Sequence, residues 1–259
     1  MSVVISRDGT RIAYTTTGSG PPLLLVHGTT ADHTRWAPVV AGLSARYTVH
    51  AIDRRGRGES SDNLPYAFGR EIEDISAVLG AIGPDVRVLA HSFGGLPVIE
   101  AALRDPAAVA QLLLYEVPIS LGPQPVHPVL DRLEALLANG ERVEMLRLFF
   151  NELVGTTPQA LAQLESLPNW PSRIAAAPTV PREMRAADVY VLGPERLAAL
   201  PMPALLMLGG ASGPFFRTSM EILAKALPNS RLLVLDGQGH TAMNGDPALF
   251  LRVVLEFLS

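Results

Sequence analysis

Three short, largely apolar runs, Pro22 to Val26, Tyr47 to Ile52 and Val86 to Ala90, restrict the possible folds more than any other feature of the chain. A strand with one wet face alternates apolar and polar residues, whereas a run apolar on both sides is buried on both, as in a parallel sheet covered by helices. Helical spacing fills the gaps, from about Trp36 to Leu43 and from about Arg70 to Ile82. Strands alternating with helices predict an α/β fold with a mostly parallel, doubly wound sheet. An opening hairpin is expected over Val3 to Ile5 and Ile12 to Thr16, turned by Asp8-Gly9.

A helix should follow Ser92 as far as about Leu103, with Pro97 just beyond its first turn, where a missing NH predicts some loosening. A further strand is expected over Gln111 to Glu116. Alternation resumes with strands Ala204 to Leu208 and Arg231 to Leu235 and helices Phe215 to Leu227 and Pro247 to Leu258. Between these blocks no strand is legible. Helical patterns at Val129 to Leu137, Arg142 to Leu153 and Pro158 to Leu167 predict an α-helical insertion over 118–193, set into a core formed by 1–117 and 194–259. Pro118, Pro123, Pro125 and Pro128 crowd its start, and Pro168, Pro171, Pro178, Pro181 and Pro194 punctuate the rest, as in short helices joined by stiff turns.

With 259 residues, 48% of them hydrophobic, the chain is long enough to build a large core without staples. The absence of cysteine excludes disulfides, thiolate metal sites and a cysteine nucleophile. A formal charge of -4 and the lack of any long Lys or Arg run argue against nucleic acid as a partner. Neither a signal-peptide pattern nor an apolar run of the ~20 residues that cross a bilayer is present, so no membrane association and a cytoplasmic location are expected. A monomer or homodimer is expected.

The most specific chemical signal is Ala90-His91-Ser92-Phe93-Gly94-Gly95, at the end of a buried strand and the start of a helix. Small residues two before and two after a serine allow a sharp, strained turn that lifts its hydroxyl clear of the sheet. Ala90 stands where the usual pattern has Gly. His27-Gly28-Thr29-Thr30 follows another buried strand, and its Thr29 NH is expected to form an oxyanion hole with the Phe93 NH. Gly237-Gln238-Gly239-His240 lies beyond the last strand, and His240 alone among the six histidines sits at the end of a late strand. An imidazole there has the pKa suited to base work near neutrality.

Together these motifs resemble the α/β-hydrolase superfamily over nearly the whole chain. Asp53-Arg54-Arg55-Gly56-Arg57-Gly58-Glu59-Ser60 is similar to the Asp-x-x-Gly-x-Gly-x-Ser loop of that fold and is read as structural. Neither a Walker lysine nor the full dinucleotide spacing accompanies it, and no cofactor or metal is expected. The resemblance implies an orienting acid behind His240, which in most of the superfamily follows the seventh strand. The corresponding loop here, Gly209-Gly210-Ala211-Ser212-Gly213-Pro214, contains no carboxylate. Glu116, 24 residues after Ser92, ends the preceding strand and is similar to the acid position of some haloalkane dehalogenases and lactone hydrolases. Asp236 is the reserve candidate.

Serine rather than aspartate at the elbow argues against dehalogenase and epoxide hydrolase chemistry and for acyl transfer, with a carboxylic ester or lactone as substrate. The insertion is expected to cap the site. Phe149, Phe150, Leu153 and Trp170 from the cap, beside Trp36, Phe93 and Phe215 from the core, are candidate pocket residues, implying a small to medium apolar substrate and poor use of charged ones. C-C bond hydrolysis of a diketone would use the same triad, and a weakly catalytic binding or receptor protein on this fold is the alternative outside enzymes.

Overall fold

The computed structural model describes residues 1–119 and 128–259; the expected turn prolines Pro123 and Pro125 lie outside the described residues. Eight strands among the described residues form one sheet: β1 (Ser2–Ile5), β2 (Arg11–Thr17), β3 (Pro22–Val26), β4 (Thr48–Ile52), β5 (Val86–His91), β6 (Val109–Tyr115), β7 (Ala204–Gly209) and β8 (Ser230–Leu235). Their order is β1-β2-β4-β3-β5-β6-β7-β8. The β1-β2 hairpin and the β2-β4 pair are antiparallel, and every pair from β4 across to β8 is parallel. Strand order reverses at β3, which lies between β4 and β5, and the crevice above such a reversal is where open α/β sheets bind ligands.

Helices cover both faces, as the apolar runs require. Helices α1 (Ala37–Ser44), α2 (Phe68–Ile82) and α3 (Gly95–Arg104) fall in the first half. On one face Ile75, Val78, Leu96 and Ile99 of α2 and α3 pack on Leu24, Val26, Val88 and Leu112; on the other, Val39 and Leu43 of α1 meet Leu25, Leu89 and Leu113. A 3-10 turn, Ser92–Gly94, precedes α3, so Pro97 is the third residue of the helix. Its missing NH therefore falls in the first turn of α3, where proline is tolerated, and the helix runs unbroken from Gly95 to Arg104.

Between β6 and β7 the described residues contain α4 (Val129–Ala138), α5 (Arg142–Leu148), α6 (Pro158–Glu165), α7 (Trp170–Ala176) and α8 (Val180–Val189), and no strand. These helices bury a cluster of their own around Leu133, Leu146, Phe149 and Val180. The helix expected over Arg142 to Leu153 changes character part-way, with a π-helical turn over Phe149–Val154 closed by Gly155 in the left-handed region (φ 73°). Pro158, Pro171 and Pro181 all stand in the opening turns of their helices. After β7 come α9 (Pro214–Ala226), the short α10 (Ala242–Gly245) and α11 (Pro247–Leu258). No helix among the described residues is long and apolar enough to cross a membrane.

Candidate active site

The β5 strand ends at His91, and Ser92 follows in the left-handed region with φ 53°. That conformation costs an L-residue about 1–3 kcal/mol and persists only where the surroundings enforce it. Here two glycines do so. A Cβ on Gly94 would lie 2.3 Å from the His27 carbonyl oxygen, and one on Gly28 would lie 2.8 Å from the Ser92 Cβ. The loop after β3 is thus pressed against the serine turn, and Thr29 reaches the same cavity as Ser92. His27 fastens that loop: its Nδ1 bonds the Gly28 carbonyl at 2.8 Å, and its Nε2 accepts from the Arg54 NH at 3.1 Å. Burial, reinforced by Arg54 and Arg57, holds the His27 pKa far below the usual histidine range, so the ring is neutral as these two bonds require.

Ser92 Oγ lies 3.0 Å from His240 Nε2, and His240 Nδ1 lies 2.5 Å from Glu116 Oε2. A carboxylate only accepts, so Nδ1 carries the proton and Nε2 offers its lone pair to the serine hydroxyl. Glu116 is fully buried, has φ 48°, and its Oε1 accepts the Gly209 NH at 2.7 Å. The carboxylate therefore comes from the end of β6 and reaches across the end of β7, whose own loop lacks an acid. Asp236 is exposed and has no part in this chain of bonds.

Further contacts hold the His240 loop. Tyr115 donates its hydroxyl to the Gly239 carbonyl and accepts the Ala242 NH at 3.2 Å. His91 Nε2 lies 2.8 Å from the His240 carbonyl and must donate to it, leaving Nδ1 bare. Burial, with His240 and Arg35 nearby, pushes the His91 pKa far down and keeps the ring neutral in that role. Phe216 stacks on the His240 ring with centroids 4.4 Å apart. Sequence reasoning passed over Tyr115, His91 and Phe216 as site residues, although Tyr115 and His91 directly precede two residues it selected.

A cavity of about 690 Å³ opens over Ser92 and His240, walled in part by Thr29, Phe149, Phe150, Leu164 and Phe216. The other expected wall residues lie elsewhere. Trp36 is fully buried in the core beneath the opposite sheet face. Phe93 packs edge-on against Phe68 at 6.0 Å with the Arg54 guanidinium over its ring, so its backbone alone is left for the site. Leu153 and Trp170 are half-buried against the apolar cluster of the helical segment, Trp170 beside Phe150 at 6.4 Å. Phe215 is 54% exposed, because successive helical residues point about 100° apart and Phe216 takes the inward position.

Arg35 and Arg173 also line the cavity and were not selected from sequence; both are 3% exposed. Asp32, His33 and Asp53 bring three metal-type donors within 4.8 Å. Their atoms are engaged with one another and the backbone: Asp53 Oδ1 accepts the His33 NH and meets its Nδ1, each at 2.8 Å, and Asp32 Oδ1 accepts from Thr34. These bonds fasten the loop after β3 to Asp53 at the end of β4.

The sequence pattern of the alpha/beta hydrolase family matches residues 23–253. Among solved structures, an alpha/beta hydrolase from Sphaerobacter thermophilus is 36% identical with a TM-score of 0.87, each chain covering all of the other. The esterase RhEst1 from Rhodococcus sp. is 25% identical with a TM-score of 0.82, over 99% of this chain and 97% of that one. A pimeloyl-(acyl-carrier protein) methyl ester esterase of Aeromonas hydrophila is 25% identical over 93% of this chain and 96% of its own. With the family match running from β3 into the last helix, the chain belongs to the alpha/beta hydrolase family.

Proposed function

We propose that the protein hydrolyses a carboxylic ester or lactone of a small molecule through an acyl-enzyme on Ser92. The observation that carries this reading is the unbroken hydrogen-bonded chain from Ser92 Oγ through both nitrogens of His240 to Glu116. His240 Nε2 takes the serine proton as Oγ attacks the carbonyl, and Glu116 stabilises the imidazolium. The NH groups of Thr29 and Phe93 receive the developing oxyanion, a donor pair of which each member is typically worth about 10²- to 10³-fold in rate. The imidazolium then protonates the leaving alcohol, and water repeats the sequence to free Ser92. The helices between β6 and β7 act as a cap, with Phe149 and Phe150 forming wall above the serine.

Ser92→Ala is expected to abolish hydrolysis of short p-nitrophenyl esters while the circular dichroism spectrum and unfolding midpoint stay near those of the parent. A fluorophosphonate should label the parent on Ser92, mapped by peptide mass, and leave the variant unlabelled. Undiminished turnover by the variant removes Ser92 from the mechanism.

A further inference from the structure

Arg35 and Arg173 stand apart from the other buried arginines. Arg54 and Arg55 each grip a carboxylate through Nε and Nη2, on Glu71 and Asp74, and Arg57 meets Glu183. Arg35 and Arg173 have no carboxylate within 4.0 Å among the described residues. Arg35 donates through Nη1 to Asn244 Oδ1 at 3.2 Å, and its Nε has no partner. Arg173 donates through Nη1 to Thr30 Oγ1 at 3.1 Å, and both its Nε and Nη2 are unpartnered.

Nε and Nη2 share one edge of the guanidinium plane, the edge that takes a carboxylate in two parallel bonds. Arg54, Arg55, Arg147 and Arg185 all use that edge on Glu or Asp in this molecule, whereas Arg173, which lines the cavity that holds Ser92, leaves it buried and unpartnered. Burying a cation without a counter-charge costs several kcal/mol, so a pair of them at one cavity is a standing cost unless a ligand offsets it. Burial and the Arg173 charge lower the Arg35 pKa well below its usual range, and burial brings Arg173 down to about 10. Asp32 offsets Arg173 only from a distance, its Oδ1 being engaged by Thr34. The described cavity lining contains no Asp or Glu.

We propose that Arg35, from the loop after β3, and Arg173, from α7 of the helical segment, form an anion clamp, so that the substrate is a small ester or lactone bearing a free carboxylate. This rests on the hydrolase reading for its chemistry and reverses the expectation, drawn from sequence, that charged substrates are poor ones. Phe149, Phe150 and Phe216 wall the apolar chain between the ester and the carboxylate. Because the clamp joins core and helical segment, the carboxylate also binds the two together over the serine.

Two measurements test the clamp and the hydrolase reading separately. The first compares mono-p-nitrophenyl glutarate with the neutral p-nitrophenyl valerate on the parent, Arg173→Met, Arg35→Met and Arg173→Lys. The parent should prefer the glutarate ester, and each Met variant should lose about 10- to 100-fold more in kcat/KM on it than on the valerate ester, the range expected for a charged hydrogen bond. Arg173→Lys should recover part of the loss, since charge survives while the two-bond geometry does not. A parent that prefers the neutral ester, or Met variants that lose equally on both, overturns the clamp. The second measurement is calorimetric titration of Ser92→Ala with monomethyl glutarate and with dimethyl glutarate. Binding of the monoacid alone, abolished by adding Arg173→Met, supports the clamp even if no ester is turned over; equal binding of both refutes it. Absence of Ser92-dependent hydrolysis of either p-nitrophenyl ester sinks the hydrolase reading and leaves the titration to decide the clamp.

Discussion

In the proposed mechanism a single proton on one of two ring nitrogens decides whether Ser92 has a base. Glu116 accepts from His240 Nδ1, which leaves the Nε2 lone pair facing the hydroxyl 3.0 Å away. Glu116→Gln puts an amide behind the ring that donates to Nδ1 as readily as it accepts, so the opposite tautomer becomes available, with the proton on the nitrogen that must receive one. This variant is expected to lower kcat by about 10³-fold with a small change in KM, read from steady-state kinetics on a p-nitrophenyl ester. A kcat within threefold of the parent would mean that another group orients the imidazole. Glu116 was legible because it ends the strand before a loop that lacks a carboxylate, at a position similar to the acid of related hydrolases, and Ser92 because small neighbours permit its turn. Arg35 and Arg173 were not legible, since nothing in their local pattern separates a buried arginine from a solvated one. Their burial follows from where two distant segments pack.

At the scale of elements, continuous apolar runs were readable and interruptions of helices were not. Strand β3 and helix α11 match their expected limits, because burial on both faces and a proline start leave little freedom. The π-helical turn at Phe149–Val154 depends on packing against neighbouring helices, which hydrophobic spacing alone does not encode. Helix α8 adds something else that periodicity hides. Its Glu183, fully buried, accepts from Arg54 at 2.5 Å and meets Arg57. The two guanidiniums are shared between this carboxylate and Glu71 of α2, so the helical segment is tied to the β4 loop by ions removed from water. Taking one partner from such a group strands the others. Glu183→Ala is therefore expected to cost about 3–5 kcal/mol in urea unfolding, well above the effect of an exposed pair such as Arg132 with Glu152. A cost below 1 kcal/mol would show that water or another acid compensates.

Across the whole molecule, four strand ends deliver the proposed site: β3 the loop carrying Thr29, β5 the serine, β6 the acid and β8 the imidazole. A mostly parallel, doubly wound sheet was implied by strand and helix alternation, while its strand order and the identity of the cavity wall depended on how the elements pack. The histidines outside the reacting chain give the molecule a pH response of its own. His27, His50 and His91 are held below the usual range by burial, whereas the hydrogen bond to Asp53 raises His33 above it. A histidine whose folded pKa exceeds its unfolded value of about 6.5 stabilises the fold fully below that value, and the contribution disappears as pH rises through the folded pKa. In His33→Gln this contribution is lost while the opposing effects of the three buried rings remain in both proteins. The stability advantage of the parent over His33→Gln, from urea unfolding, should thus be largest near pH 6 and shrink steadily toward pH 9. Between 6.5 and the raised value its slope should stay within about 1.4 kcal/mol per pH unit, the limit for one proton. A difference independent of pH would mean that the Asp53 contact stabilises the neutral ring as well as the charged one, and that His33 serves only to staple the loop.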